Sequence, residues 1–452
     1  MSTMIDHFSA AFDAALAKRA STERRLGLEL KFPLVERDGT AVPRETVAEL
    51  WRFLAARGWT PAEDRVTGEV VGCTHPGEQN DTVASCETGY CKTEFSLAHA
   101  ADLHGLAEQA TWLREQLGEF SQQHNVRLLG FGIHPVSPPG RALELKKVRA
   151  SVWDRAVPSN RVIPPEEGDD VHLLTINAGS HVHVGIDRDE AVRAVNVLCG
   201  LAGPQIALMA NSNVWRGQLD PNYKAVSEML WDWWEPAAGR RGVPNESFTD
   251  LKHYVSTIER MKPIYVKRDG VPLLLPEFET FADYFAHASP TGRNLDGQDI
   301  ALVPEPADID LHNSCYWFNA RISRYFTVEN RIFDQQPPDD LLLPAAITLG
   351  LVSALDEACE EIAAHDWQDL RAARESACRD GMQATLGGRP IVEACGRMLD
   401  LIELGLRRRD RGEVVYLEPL KQRLKEQRCP ADEVAEIVRA DGIPALVERR
   451  AI

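Results

Sequence analysis

Charged and histidine side chains alternate with apolar residues in short segments of this sequence, a pattern typical of strands that have one polar face. In residues 26–34, leucine or phenylalanine occupies every second position, and Glu29 and Lys31 lie between them. A strand would direct both charged side chains to the same side. Such a face suits chemistry on charged groups, and it suits a solvent-exposed surface equally well.

Two glutamates lie close together further along the chain. Glu87 precedes a glycine turn, and Glu94 follows seven residues later within a predicted strand. The turn lets the two carboxylates converge. Hard divalent cations such as Mg²⁺ take oxygen ligands from separate chain positions, so the pair indicates a magnesium site, although two glutamates are also compatible with an ordinary polar surface.

Two histidines share one face of the next predicted strand, residues 180–187. Valine and isoleucine would face one way, whereas His181, His183 and Asp187 would face the other. A single histidine in a strand is typical of a core or surface position with no ligand. The pair with a following aspartate also favours a role in binding a ligand or substrate.

The last of these segments, residues 326–334, places Thr327, Glu329 and Arg331 on one face of a strand. Glu329 beside Arg331 is compatible with a simple ion pair of low energy. The functional interpretation is that Glu329 holds a metal ion while Arg331 meets a transferring phosphoryl group, whose developing charge needs a fixed cation.

Several common catalytic motifs are absent from the sequence. It has no Gly-x-x-x-x-Gly-Lys-Ser/Thr loop and no Gly-x-Gly-x-x-Gly motif between a strand and a helix. A Gly-x-Ser-x-Gly elbow for serine chemistry is also missing. Any nucleotide would therefore have to be held through metal ions and arginines.

Taken in order, these segments resemble the glutamate–cysteine ligase family of the plant and actinobacterial type, together with related bacterial carboxylate–amine ligases, all relatives of glutamine synthetase. Residues 27–32 resemble the family's opening Gly-x-Glu-x-Glu strand, and residues 87–96 resemble its Glu-Pro-Gly-Gly-Gln-x-Glu-x-Ser element. Residues 180–187 and 207–217 are similar to its His-Val-His-Val-Gly and Ala-Leu-x-Ala-Asn-Ser motifs. The resemblance extends over roughly residues 24–340.

The resemblance implies Mg²⁺ ions on the polar face of the sheet, where they would bridge the phosphates of ATP to a substrate carboxylate. Glu29, His181 and Glu329 would hold one ion. Glu87 and Glu94 would hold a neighbouring ion, together with the second glutamate of the opening strand.

This chain has Lys31 in place of that second glutamate. An ammonium group removes a ligand and adds a positive charge beside a cation, so we expect the second metal site to be weakened or absent. Lys31 would instead contact a phosphate or a substrate carboxylate directly, which is a catalytic role.

The remaining roles follow from the same resemblance. The family transfers the γ-phosphoryl group of ATP to a carboxylate and lets an amine attack the acyl phosphate. Arg331 would contact the transferring phosphoryl group, Arg321 would bind ATP or substrate, and Asn211 and Ser212 would bind substrate. The amine needs a base, for which either His183 or a carboxylate of the cluster is a candidate.

The elements that must position these residues change in type along the chain. Strand-forming segments fall between residues 26 and 335, whereas helical periodicity dominates after Pro337 and Pro338. We predict an α+β fold, with a curved antiparallel sheet of the glutamine synthetase-like type surrounded by helices. Residues 1–340 would form the catalytic domain, and residues 341–452 a helical C-terminal extension packed on it.

The charge of the chain limits its partners. Its 452 residues have a formal net charge of −18, which disfavours binding to nucleic acid and to anionic membranes. No apolar stretch approaches the length of about 18 residues that can span a bilayer. We expect a cytoplasmic monomer or homodimer whose partners are small molecules.

The predicted function is therefore an ATP- and Mg²⁺-dependent carboxylate–amine ligase. Glutamate–cysteine ligase activity, which forms γ-glutamylcysteine for glutathione biosynthesis, is the favoured assignment. The alternatives are a ligase that joins another acid and amine, for example in natural-product biosynthesis, and a relative that binds a metabolite without turnover. Three departures from the family pattern keep these alternatives open. They are Lys31, Asn213, which stands where the family has proline, and residues 223–227, which lack the arginine that the family has shortly after its Ala-Asn-Ser motif.

Overall fold

Strands and helices alternate through the first three quarters of the chain, and helices dominate the rest. A computed structural model describes residues 3–19, 23–64, 67–77, 80–147 and 150–452. The strands are β1 (Leu26–Val35), β2 (Thr60–Glu63), β3 (Val70–His75), β4 (Thr82–Cys86), β5 (Lys92–Ser96), β6 (Arg127–Leu128), β7 (Gly179–Gly185), β8 (Val214–Trp215), β9 (Gln218–Leu219), β10 (Arg241–Gly242), β11 (Tyr265–Arg268), β12 (Val271–Leu274), β13 (Thr291–Arg293), β14 (Asp299–Ala301), β15 (Trp317–Phe318), β16 (Ala320–Ile322), β17 (Thr327–Asp334), β18 (Thr385–Leu386) and β19 (Arg389–Pro390).

The helices surround these strands. They are α1 (Thr3–Ala17), α2 (Arg44–Ala55), α3 (Leu103–His124), α4 (Ala150–Ala156), α5 (Ala191–Gly200), α6 (Ala202–Met209), α7 (Val226–Trp233), α8 (Leu251–Glu259), α9 (Phe281–Ala286), α10 (Pro306–His312), α11 (Leu343–Ser353), α12 (Leu355–Ala363), α13 (Trp367–Asp380), α14 (Ile391–Arg409), α15 (Glu418–Glu426) and α16 (Pro430–Arg449).

A nine-stranded sheet forms the centre of the described chain. Its strand order is β16-β17-β7-β1-β5-β4-β3-β2, and β6 pairs with the end of β1. Every pair of neighbours in this sheet is antiparallel. The predicted α+β fold with an antiparallel sheet is therefore confirmed.

The alternating sequence of β1 determines which face of the sheet is buried. Leu26, Leu28, Leu30 and Phe32 point into the main hydrophobic core and are at most 1% exposed. The polar residues between them point to the opposite face. This arrangement confirms the shared face predicted from the sequence, and it leaves one side of a central strand available for chemistry.

Apolar helices cover the buried face of the sheet. α11 contacts β7 and β1, and α6 contacts β17. Residues 343–352 of α11 are all buried, because the helix is apolar on every side. The charged side chains of the sheet therefore remain on the other face.

The helices that follow α11 pack on the helices that cover the sheet. α14 contacts α11 and α6, and α13 contacts α6. A Cβ atom on Gly405 of α14 would lie 2.0 Å from the carbonyl oxygen of Gly350 in α11, so glycine permits the close approach of these two helices. The division of the chain into two domains at residue 340 stays a prediction.

Apolar helices in the described part of the chain are short. No single helix there is both long enough and apolar enough to cross a membrane. The bent pair of α5 and α6 passes a test of length and composition when taken together. Both helices belong to the hydrophobic core, and all eight residues of α6 are buried, so core packing accounts for their apolar composition.

Candidate active site

Four strands that are distant in the sequence lie side by side and present one polar face. β17, β7, β1 and β5 are neighbours in this order. Their register sets three cross-strand pairs, which are Glu329 with His183, Glu29 with His181, and Lys31 with Glu94. Cross-strand partners have their Cβ atoms within about 5.5 Å, so the polar segments singled out in the sequence form one cluster.

Three members of this cluster are arranged to hold a metal ion. One ligand atom each from Glu29, His183 and Glu329 lies within 4.8 Å of the other two. The Nε2 atom of His183 is 3.2 Å from Oε1 of Glu29. Two carboxylates and an imidazole form a donor set that accepts a divalent cation.

The two carboxylates of this group are in their charged form. Burial alone would raise the pKa of Glu29, but Lys31 and the hydrogen bonds from the histidines hold it well below its usual value. Burial opposes the charge of Glu329 in the same way, and Arg321 and Arg331 hold its pKa low. The three residues therefore offer the ligand types and the negative charge that a divalent cation needs.

The two histidines differ in their surroundings. Nδ1 of His181 lies 2.9 Å from Oε2 of Glu29 and 3.0 Å from Nζ of Lys31, but 3.8 Å from Glu329. Burial, with Arg331 and Lys31 nearby, lowers the pKa of His181 to about 3. The family resemblance implies that His181 is the metal-binding imidazole, whereas the structure brings His183 together with Glu29 and Glu329, because the strand register places His183 beside Glu329.

His183 is the better placed of the two imidazoles for a cation. Burial lowers its pKa, but the hydrogen bond to Glu29 and the charge of Glu329 outweigh that effect, so the pKa is raised. Its Nδ1 atom lies 2.9 Å from the hydroxyl oxygen of Thr327. That contact orients the ring so that Nε2 faces the carboxylates.

Lys31 lies between the acidic residues of the predicted second metal site. Its side chain is 2% exposed, and Nζ lies 3.1 Å from Oε2 of Glu29 and 3.1 Å from Oε2 of Glu94. Burial lowers the pKa of Lys31, but the carboxylates around it outweigh that effect and raise the pKa above its usual value. The ammonium group is therefore charged. Mg²⁺ would need to lie about 2.1 Å from the same oxygens, and the ammonium group occupies that volume. The residues here do not fit a second divalent cation.

Glu87 is at the edge of the cluster. Its side chain is 41% exposed, and Oε2 lies 3.3 Å from Nζ of Lys92. Lys92 also donates to the carbonyl oxygen of Leu174 and to Oδ1 of Asn177, at 3.0 and 2.8 Å. Burial opposes the charge of Glu87, but Lys31 and Lys92 lower its pKa below the usual value. Lys92 was not among the site residues predicted from the sequence, although its position two residues before Glu94 on β5 places it on the polar face.

Two arginines contact Glu329 from either side. Nε of Arg321 donates to Oε2 of Glu329 at 2.7 Å, and Arg331 donates to Oε1 of the same carboxylate. Arg321 also donates to the carbonyl oxygen of Tyr316 at 2.8 Å. The two guanidinium groups are therefore fixed beside the candidate metal site, where they could bind an anion such as phosphate.

Asn211 and Ser212 do not contact this cluster. Both are fully buried, and Ser212 donates its hydroxyl to Oδ2 of Asp334 at 2.8 Å. The amide nitrogen of Asn211 donates to the carbonyl oxygens of Gly130 and Gln335. These donors are satisfied within the framework, where they hold a loop against β17, and the substrate contacts of Asn211 and Ser212 stay a prediction.

An aromatic residue that the sequence analysis missed lies beside the site. The ring of Tyr325 is centred 6.2 Å from the ring of His183, and Tyr325 is 60% exposed. It belongs to a tight turn in which the backbone N–H of Ser323 donates to the carbonyl of Thr327. No alternation pattern marks this turn, so the sequence carried no signal for its position.

A comparison with protein families identifies this arrangement. A family model described as glutamate–cysteine ligase family 2 matches residues 25–449. The chain belongs to this family. The match runs from the residue before β1 to the end of α16, so it includes all four strands of the polar face. Membership of glutamate–cysteine ligase family 2 confirms the resemblance indicated by the motifs.

Individual relatives of this family 2 member match over shorter stretches. A putative glutamate–cysteine ligase 2-1 from Nocardia farcinica is 32% identical over 150 residues, which are 33% of this chain and 36% of that protein. A glutamate–cysteine ligase from Haloquadratum walsbyi is 28% identical over 163 residues, 35% of this chain and 40% of that protein. The chain thus spans less than half the length of these relatives.

Two solved structures share the fold of this family 2 member. A glutamate–cysteine ligase from Francisella tularensis in complex with AMP is 10% identical, with a TM-score of 0.54, and the match covers 94% of this chain and 87% of that one. A bifunctional glutathione synthetase from Pasteurella multocida is also 10% identical, with a TM-score of 0.51, and the match covers 100% of this chain and 53% of that one. At this identity the likeness concerns the fold alone.

Proposed function

We propose that this protein is an ATP-dependent carboxylate–amine ligase that joins glutamate to cysteine and forms γ-glutamylcysteine through an acyl phosphate. One observation carries the proposal: a candidate metal group, Glu29, His183 and Glu329, lies beside two fixed guanidinium groups on the polar face of an antiparallel sheet. Phosphoryl transfer needs such a combination, because charge is spread over the phosphate oxygens in the transition state.

The acid is activated in the first step of the proposed reaction. A substrate carboxylate oxygen attacks the γ-phosphorus of ATP, and ADP leaves. Mg²⁺ held by Glu29, His183 and Glu329 would supply neutralising charge for the phosphate oxygens. Arg321 and Arg331 are permanently charged and already positioned, so they bind the transferring group with little reorganisation.

The amide bond forms in the second step. The amine nitrogen attacks the acyl carbon, the carbon–oxygen bond to phosphate breaks, and one proton is lost from the nitrogen. Lys31 neutralises negative charge beside the reacting carboxylate. The base for this proton stays the prediction made from the sequence, namely His183 or a carboxylate of the cluster.

Product analysis tests the proposal. Purified protein is incubated with ATP, Mg²⁺, glutamate and cysteine, and the products are identified by mass spectrometry. We expect equal amounts of ADP, phosphate and γ-glutamylcysteine. Absence of ADP release across a panel of amino acids and amines would contradict the ligase assignment.

The position of Lys31 favours one alternative, a ligase that joins a different acid and amine. Lys31 is buried between Glu29 and Glu94, where the family pattern has a glutamate, so the net charge of the cluster differs. The same assay separates the two assignments. ADP release that depends on another acid, with none for glutamate and cysteine, would establish this alternative.

A further inference from the structure

Lys31 has the surroundings of a bound cation. Three groups converge on its Nζ atom, which lies 3.1 Å from a carboxylate oxygen of Glu29, 3.1 Å from one of Glu94 and 3.0 Å from Nδ1 of His181. The ammonium group donates a hydrogen bond to Glu29 and forms an ion pair with Glu94, so two carboxylates balance its charge. Its side chain is almost completely buried, and the group is therefore fixed in position.

We propose that the ammonium group of Lys31 is a built-in cation that takes the place of one divalent metal ion in the active site. This inference deepens the proposed function and rests on it, because the proposed function is what makes this cluster an active site. The chain would then bind one divalent cation in the absence of nucleotide, at Glu29, His183 and Glu329.

Glu29 connects the candidate metal group with Lys31. Its Oε1 atom faces Nε2 of His183 at 3.2 Å, and its Oε2 atom faces Nζ of Lys31 at 3.1 Å. One carboxylate therefore bridges a place for a divalent ion and a fixed ammonium group. Bridging carboxylates are a usual way of holding two cations close together, and here a side chain supplies one of the two charges.

The charges involved match in size. Replacing glutamate by lysine changes the formal charge of a site by two units, which equals the charge of one Mg²⁺ ion. The same replacement removes a carboxylate ligand. A site with lysine at this position therefore neither needs nor accepts the second ion. A site with glutamate would have both the uncompensated negative charge and the ligand to bind that ion.

Cation counting tests this inference without any substrate. Binding of Mn²⁺ to the purified full chain is measured by equilibrium dialysis in the absence of nucleotide, for the wild type and for Lys31→Glu. We expect Lys31→Glu to bind one Mn²⁺ more per chain than the wild type. Equal counts for the two proteins would overturn the proposal.

Two further variants separate the ligand effect from a general charge effect. Lys31→Met removes the ammonium group without adding a carboxylate, so we expect no additional tightly bound ion. Lys267→Glu makes the same change of charge at an exposed position of β11, and we expect the wild-type count. A gain of one ion in Lys267→Glu equal to that in Lys31→Glu would contradict a site-specific role.

The electron paramagnetic resonance spectrum keeps the inference testable if Lys31→Glu does not fold. Wild-type protein saturated with Mn²⁺ should give the spectrum of an isolated ion. A spectrum from two coupled ions would overturn the proposal.

The proposed function is judged separately, by nucleotide binding and ADP release. A protein that releases no ADP but shows the predicted difference in Mn²⁺ count would refute the ligase assignment and retain the role of Lys31.

Discussion

Glu329 is the residue at which the candidate metal group and the two arginines meet. It is almost completely buried, it belongs to the convergent group with Glu29 and His183, and it accepts hydrogen bonds from Arg321 and Arg331. Replacing it with glutamine keeps the shape but removes the charge that both the ion and the guanidinium groups need. We expect Glu329→Gln to lower the rate of ADP release by about 100-fold or more.

A matched control separates this effect from unfolding. Glu277→Gln makes the same change at an exposed position, and we expect wild-type turnover. Circular dichroism should show that both variants keep their secondary structure. Wild-type turnover in Glu329→Gln would remove this residue from the proposed mechanism.

The two histidines of β7 provide a second prediction. Because His183 lies with Glu29 and Glu329 while His181 faces Lys31, their replacement should affect metal binding differently. We expect His183→Gln to weaken Mn²⁺ binding by at least about 10-fold and His181→Gln to weaken it by less. Dissociation constants from calorimetric titration would measure both. The opposite order would assign the imidazole ligand to His181.

The alternation of polar and apolar residues predicts which side chains share a face of a strand, but it does not predict which residues lie opposite them on the neighbouring strand. Glu29 and Lys31 could be assigned to one side of a strand from the sequence, because the side-chain period of a strand is two. The distinction between His181 and His183 could not be made in this way, since both share that face. It depends on the register between β7 and β17, which sets Glu329 opposite His183 and is determined by packing across the whole sheet.

At the scale of elements, the contact between α11 and α14 depends on glycine. A Cβ atom at Gly405 would lie 2.0 Å from the carbonyl oxygen of Gly350, which is backbone and cannot rotate away. We therefore expect Gly405→Ala to lower the free energy of unfolding by about 1–3 kcal/mol, the usual range for an overpacked core. Urea denaturation would measure the change.

The same helix contains the control for this prediction. A Cβ atom at Gly396 of α14 would point into open space, with no atom beyond its own turns of the helix backbone within 4 Å. Alanine is the better helix former, so Gly396→Ala should leave stability unchanged or raise it by up to about 1 kcal/mol. Equal destabilisation by both substitutions would show that helix packing at Gly405 is not the cause.

The order of the strands in the central sheet could not be predicted from the sequence. The segments of β1, β5, β7 and β17 were recognisable from their alternation, and the helical character of the chain after residue 341 from its composition. β7 pairs with β1 on one side and with β17 on the other, and each of these strands lies about 150 residues from β7 in the sequence. No local pattern sets such a pairing, because it follows from the burial of all the strands together.

At the scale of the whole molecule, the helices after residue 341 are tied to the preceding chain by charges as well as by apolar contacts. Arg374 of α13 forms ion pairs with Glu228 and Asp232 of α7, each at 2.7 Å. Arg423 of α15 donates to the carbonyl oxygen of Leu208 in α6 at 3.0 Å. Breaking such buried pairs leaves uncompensated charge, so these contacts favour a single arrangement of the helices.

The core also contains a histidine that links stability to pH. His134 is 1% exposed, and neither of its ring nitrogens has a hydrogen-bond partner among the described residues. Burial lowers its pKa to about 4 from a usual value near 6.5. The unfolded chain therefore binds a proton at this residue at a higher pH than the folded chain does. The free energy of unfolding should therefore keep the full contribution of neutral His134 above pH 6.5, and it should fall as the pH drops towards 4.

Replacing this imidazole should remove that part of the pH dependence. His134→Leu has no group to protonate and leaves no unpaired polar atom in the core, so stability at pH 7.5 should be equal to that of the wild type or higher. Between pH 7.5 and pH 5 the wild type should lose about 2 kcal/mol more than the variant. Free energies of unfolding from urea denaturation at the two pH values would measure this difference. The same loss in both proteins would mean that His134 is protonated equally in the folded and unfolded states, in conflict with its burial.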